Sequence, residues 1–144
     1  MLDTNGKVVW EYNVPQMLFD FAVIPSTGLI YGTAGDNNMF ILESSTGKEL
    51  VRNSRNGSAA YGQVKPYGND MCLVTDNNWG YRDRLDDPTI KDGVTCWRGT
   101  EILWSTELPP DANLIVKGGK ISALTKTKDG IFIKEVLIPK VKFH

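Results

Sequence analysis

Histidine is nearly absent from this 144-residue chain, and the only one is His144 at its last position. Ser-His-Asp and Cys-His catalysis, zinc hydrolysis and histidine-based group transfer each need an imidazole held inside a packed site, so those classes are excluded. Cysteine is scarce as well. Cys72 and Cys96 each sit in an apolar run, Met71-Cys72-Leu73-Val74 and Val94-Thr95-Cys96-Trp97, which reads as two buried free thiols, because a metal site needs clustered Cys and His and a disulfide needs an oxidising compartment. Apolar runs are only a few residues long, against roughly 20 for a membrane-crossing helix. The start, Met1-Leu2-Asp3-Thr4, has neither the basic nor the apolar region of a signal peptide, so a cytoplasmic or virion location is expected over secretion. Glycine-rich phosphate loops are missing too.

What is present is ordinary globular composition: 41% hydrophobic, 23% charged, 14 glycines and a formal charge of −1. At this length one core is expected, with no metal needed to hold it. The charge is unevenly spread. Lysines 117, 120, 126, 128, 134, 140 and 142 against Asp129 and Glu135 give residues 113–144 a charge of +5, and residues 1–112 carry −6. Such a basic end either attracts an acidic partner, for which the acidic part of a second copy is a candidate and nucleic acid is disfavoured, or is a strand face kept soluble by lysine.

No window of helical length keeps a 3.6-residue apolar stripe without a breaker. Short runs rich in Val, Ile, Leu, Thr and aromatics alternate instead with Gly, Asn-Asn, Asp-Gly or Pro, which makes the chain all-β. Strands are expected over residues 7–14, 18–24, 29–33, 39–43, 49–52, 60–65, 71–75, 94–97, 101–106, 113–117, 120–125 and 131–138. Three turn families recur in register. Glycines 28, 68 and 119 mark one; the turns at Asp36, Asp76 and Asp129 mark a second; glycines 6, 47 and 99 mark a third. Every family advances by 40 or 41 residues and then by 51 to 53. A period of this size with four strands per unit is the signature of a β-propeller blade, whose sheet faces are covered only by stacking on neighbours.

The expected architecture is therefore β-propeller-like blades of four-stranded antiparallel sheet, about three blades' worth. An N-terminal strand covers 7–14, blade one about 18–52, blade two about 60–106 with an insertion at 79–92, and an incomplete last blade about 113–138. A propeller closes around an axis, so three blades imply a fragment, a partner copy or open edges.

Leu2-Asp3-Thr4-Asn5-Gly6-Lys7-Val8-Val9-Trp10 and Phe40-Ile41-Leu42-Glu43-Ser44-Ser45-Thr46-Gly47-Lys48-Glu49-Leu50 resemble the repeat of the pyrroloquinoline quinone (PQQ)-like propellers, and Arg98-Gly99-Thr100-Glu101-Ile102-Leu103-Trp104 is a looser copy. The resemblance implies a superfamily that holds quinone-dependent dehydrogenases and non-enzymatic assembly and scaffolding proteins. Its enzymes carry adjacent cysteines, a Trp platform and Glu, Asn and Asp calcium ligands. Here the cysteines are not adjacent, which points to the non-enzymatic branch, with no cofactor and no catalytic residues. Asp76, Asn78 and Asp87 match positions 1, 3 and 12 of an EF-hand count, but Gly80 and Tyr81 break the pattern and turn chemistry explains them, so no metal is expected.

The expected function is a non-catalytic interaction or assembly module that takes protein partners or self-associates, such as a phage virion or tail component. The alternative is a remnant of a PQQ-dependent enzyme. Trp79, Tyr81, Arg82 and Arg84 in the insertion have the composition of a binding hot spot, with Asp83, Asp86 and Asp87 setting its charge, although a loop folding its own aromatics inward would look the same. Trp10 and Trp104 hold equivalent inter-blade positions, and Trp97 belongs to the core. Trp10, Phe132, Ile133 and Leu137 are the candidate residues of a self-association edge, along which 7–14 of one copy pairs with 131–138 of another.

Overall fold

The computed structural model describes residues 1–14, 17–34, 38–54, 62–76, 92–109 and 112–139. All the regular structure among them is β-strand. Strands β1 (Leu18–Ile24), β2 (Leu29–Ala34), β3 (Asn38–Glu43) and β4 (Glu49–Ser54) form a first antiparallel sheet in chain order. A second sheet is β5 (Val64–Tyr67), β6 (Met71–Asp76), β7 (Asp92–Arg98) and β8 (Glu101–Leu108), again in chain order. Strands β9 (Asn113–Lys117), β10 (Lys120–Thr127) and β11 (Gly130–Glu135) make the third. These are consecutive up-and-down blades, and the fold is of the propeller type expected from the turn period.

Backbone conformation explains that period. Gly28, Gly68 and Gly119 of one turn family and Gly6, Gly47 and Gly99 of another all hold φ between 60° and 76°. Side chains rarely adopt this region, so glycine marks each return of the chain. Gly47 has a second reason: a Cβ there would lie 2.5 Å from Cδ2 and Cε3 of Trp10.

The second sheet is apolar on both faces because it is packed on both. Ala22, Ile24, Leu29, Tyr31, Met39 and Ile41 of the first sheet meet Val64, Cys72, Val74 and Trp97 of the second. The opposite face of the second sheet, with Leu73, Val94, Cys96 and Trp104, meets Leu114, Ile121 and Ala123 of the third. The innermost strands are clasped by polar side chains. Asp20 Oδ2 accepts from Val64 N–H at 2.8 Å, and Gln63 Oε1 accepts from Leu114 N–H at 2.8 Å while its Nε2 donates to Asn113 Oδ1 at 2.6 Å. Tyrosines tie turns across the same two junctions, Tyr31 Oη to Gly99 O at 2.8 Å and Tyr67 Oη to Gly119 O at 3.0 Å.

Residues 7–14 differ from the strand expected there. Val8 makes a single bridge to Leu2, and the rest belongs to no sheet. A strand needs a ladder partner, and none lies beside residues 11–14 among the described residues. Side chains hold the segment instead: Trp10, Tyr12 and Val14, two residues apart, pack on Ile30, Ala34, Phe40 and Leu42 of the first sheet's outer face. The insertion also ends earlier than expected, since Asp92 opens β7 and is buried.

Candidate interaction surface

The interior offers little reactivity. Cys72 and Cys96 are free and buried, and they lie in the clusters on opposite faces of the second sheet, so they cannot approach each other across it. Burial pushes the Cys72 thiol up to about 12 and that of Cys96 up to about 11. Burial, followed by the neighbouring Cys72, likewise raises Tyr31 to about 12. Thiols of this kind are poor nucleophiles at neutral pH. Thr33 is fully buried and spends its hydroxyl on Gly62 O at 2.7 Å. Among the described residues no three His, Cys, Asp or Glu side chains group as a metal site, and no helix is long and apolar enough to cross a membrane.

The surface is more informative. Residues 10–14 cover β2 and β3 on the first sheet's outer face and leave β1 open. Register puts Val23 opposite Ile30 and Leu42, and Phe21 opposite Gly32 and Phe40, so these residues share that outer face. Ile30, Phe40 and Leu42 are buried, but Phe21 is 56% exposed and Val23 43%. Between the segment and the sheet runs an open groove of about 550 Å³, lined by Tyr12, Val14, Leu18, Phe21, Val23 and Phe40 among others. Glu11 supplies the charged side chain of its lining, beside the Met1 ammonium that donates to Trp10 O at 2.9 Å. The covering segment is well anchored. Trp10 Nε1 donates to Ser44 O at 2.8 Å, the Tyr12 ring packs tilted by 42° against that of Phe40 with centroids 5.1 Å apart, and Arg52 donates to Tyr12 Oη at 2.6 Å with its guanidinium 5.8 Å from the ring centroid.

The second open feature is β11. It pairs with β10 on one side, and no strand pairs with its other side among the described residues. Val136 N–H donates to Ile121 O, so by antiparallel alternation the inward-bonded residues are 136, 134, 132 and 130, and the backbone groups of Ile131, Ile133 and Glu135 face the open side. Every residue of β11 is exposed.

The expected site residues are distributed as follows. Phe132, 53% exposed, and Ile133, 66% exposed, lie on β11, and Leu137 just beyond it is 80% exposed. Trp10 is half-buried over Gly47, on the opposite end of the molecule from that edge. Trp79, Tyr81, Arg82 and Arg84 lie outside the described residues, as do Asn78 and Asp87. Trp104 and Trp97 are buried between sheets. Sequence reasoning missed the groove at Leu18, Phe21 and Val23. Its signal was available: the run from Leu18 to Ile24 is apolar at both alternating sets of positions, as in a strand meant to be covered on both faces.

No family model matches the chain, and no curated protein matches it. Among solved structures, the WD40 domain of SCAP from fission yeast aligns at 12% identity and a TM-score of 0.47, over 90% of this chain and 31% of that one. The chain thus spans under a third of that structure's length.

Proposed function

We propose that the chain is a non-catalytic interaction module of the propeller type, of the non-enzymatic PQQ-like branch that its turn repeats resemble, working as a part of a larger protein assembly. The observation that carries this reading is the groove of apolar side chains over β1, with Leu18, Phe21 and Val23 left open beside the buried Ile30, Phe40 and Leu42. Contiguous exposed apolar surface of this kind marks protein contacts. A short self-associating component of a phage virion or tail fits the same features. The insertion residues Trp79, Tyr81, Arg82 and Arg84 supply further partner contacts on this reading, supported by their composition and by the tendency of insertions in repeat folds to form binding loops.

The rival reading is a remnant of a quinone enzyme. Its cysteine requirement does not fit, because Cys72 and Cys96 face opposite sides of one sheet and cannot form the adjacent pair. Purified protein is to be mixed with PQQ and calcium, desalted and examined by absorption. No retained chromophore is expected, and a stoichiometric one overturns the proposal. Replacing residues 79–91 by an Asn-Gly turn should leave the β circular dichroism intact and abolish binding to the partner assembly; unchanged binding removes these residues from the contact surface.

A further inference from the structure

The geometry points to a second copy of this chain as the occupant of the groove: the third sheet of one copy enters the groove of the next, with its β11 lying along residues 11–14. This rests on the interaction-module reading and names its partner. The argument begins with the two junctions already present. In each, one sheet lays a face on the next, and a residue four or five positions after a turn glycine sits on the following sheet. Val51 after Gly47 packs against the first junction, and Trp104 after Gly99 lies within the second. Trp10, four residues after Gly6, does the same on the outer face of the first sheet. The segment 10–14 therefore stands where the outermost strand of a further sheet would stand, and the sheet's remaining three strands would cover Leu18, Phe21 and Val23.

The third sheet has the shape for that place. Among the described residues it has three strands where the other two have four, and its free side is β11, the strand that in the first two sheets pairs with the outermost one. Three strands from one copy and residues 11–14 from the other complete a four-stranded blade. Register places Asn113, Ile115, Ser122, Leu124, Ile131 and Ile133 on the face of the third sheet turned away from the second, and Ile115, Ile131 and Ile133 are exposed. That face would lie on Phe21 and Val23 as an extension of the same series of sheet junctions. Charge agrees. Lys117, Lys120 and Lys126 share that outer face with a single acidic residue, Glu135, by the same register, and residues 113–144 carry +5. Residues 1–54 carry three more acidic than basic side chains, with Glu11 in the groove wall. Opposite charge favours this pairing and disfavours like ends meeting. The contact joins two different surfaces, so it closes a ring or propagates; two copies would give six blades, within the usual propeller range.

Two single-end variants test it. Phe21→Asp places a charge in the groove on a side chain that is more than half exposed. Ile133→Pro removes an N–H that faces the open edge and leaves the β10 ladder bonds in place. Circular dichroism checks that both fold. By light scattering at micromolar concentration, the wild-type chain is expected at twice its 16.0 kDa mass or a higher multiple, falling with added salt, and each variant alone at the single mass. An equimolar mixture of the two variants should return to the doubled mass, because one intact groove still meets one intact edge. A wild-type monomer, or a mixture that stays monomeric, overturns the inference. So does association blocked by Phe21→Asp and untouched by Ile133→Pro; that result leaves the groove as a protein surface, and the interaction-module reading stands with a different occupant.

Discussion

Gln63 holds the second and third sheets together at their innermost strands, and its removal has a calculable cost. Its Oε1 accepts from Leu114 N–H at 2.8 Å, and its Nε2 donates to Asn113 Oδ1 at 2.6 Å. Leu114 is 4% exposed, so water has poor access to the donor once the amide is gone. In Gln63→Ala the stranded N–H costs about 1–3 kcal/mol, which for a chain of this size lowers Tm by roughly 4–8 °C at a loss of 2 kcal/mol. Gln63→Glu keeps an acceptor for Leu114, and Asn113 can turn its amide to donate to the carboxylate. It should recover at least half of the loss at neutral pH. Urea titration with constant slope gives the stabilities, and hydrogen exchange at the Leu114 amide reports the junction itself. If Gln63→Ala loses less than about 0.5 kcal/mol, below the range for a stranded buried donor, or if the Glu variant is as unstable as the Ala variant, the clasp is not an energetic contact.

Other outcomes follow from the interior. Cys72 and Cys96 rise from an ordinary 9.0 to about 12 and about 11, and Tyr31 from 10.0 to about 12. Each raised acid keeps its proton in the folded state while the unfolded chain releases it, so the stabilisation is complete below pH 9 and is lost as pH climbs towards 12. By pH 10 the three together should cost about 3 kcal/mol, measured by urea melts across pH 8 to 10; a flat profile refutes the burial argument, and Cys72→Ala with Cys96→Ala should remove most of the slope. Both thiols should also resist Ellman's reagent until the chain unfolds. Gly47→Ala would put its Cβ against the Trp10 ring in a left-handed backbone, costing about 1–2 kcal/mol for the conformation alone and freeing Trp10 from Ser44. A red-shifted tryptophan emission in the folded state is the readout, and an unshifted spectrum shows that the ring is not where the structure places it.

The all-β class and the repeating turns were legible in the sequence because they depend on local chemistry. Glycines 28, 68, 119, 6, 47 and 99 are needed where the backbone turns left-handed, and β1 and β10 begin at the expected residues, Leu18 and Lys120. Burial of the cysteines was legible for the same reason, since an apolar run in a covered strand has nowhere else to go. Their separation was not: Cys72 and Cys96 fall on opposite faces only through the pairing of Leu73 with Cys96, a register that two strands set together. Residues 7–14 have the composition of a strand, but a strand exists only beside a partner, and the tertiary arrangement put a sheet face beneath them where the sequence suggested a neighbouring strand. The groove arises from that placement. Apolar residues at both alternating sets of positions in β1 state that two covers are needed, and only the packing of 10–14 over Phe40 decides that Phe21 and Val23 stay uncovered.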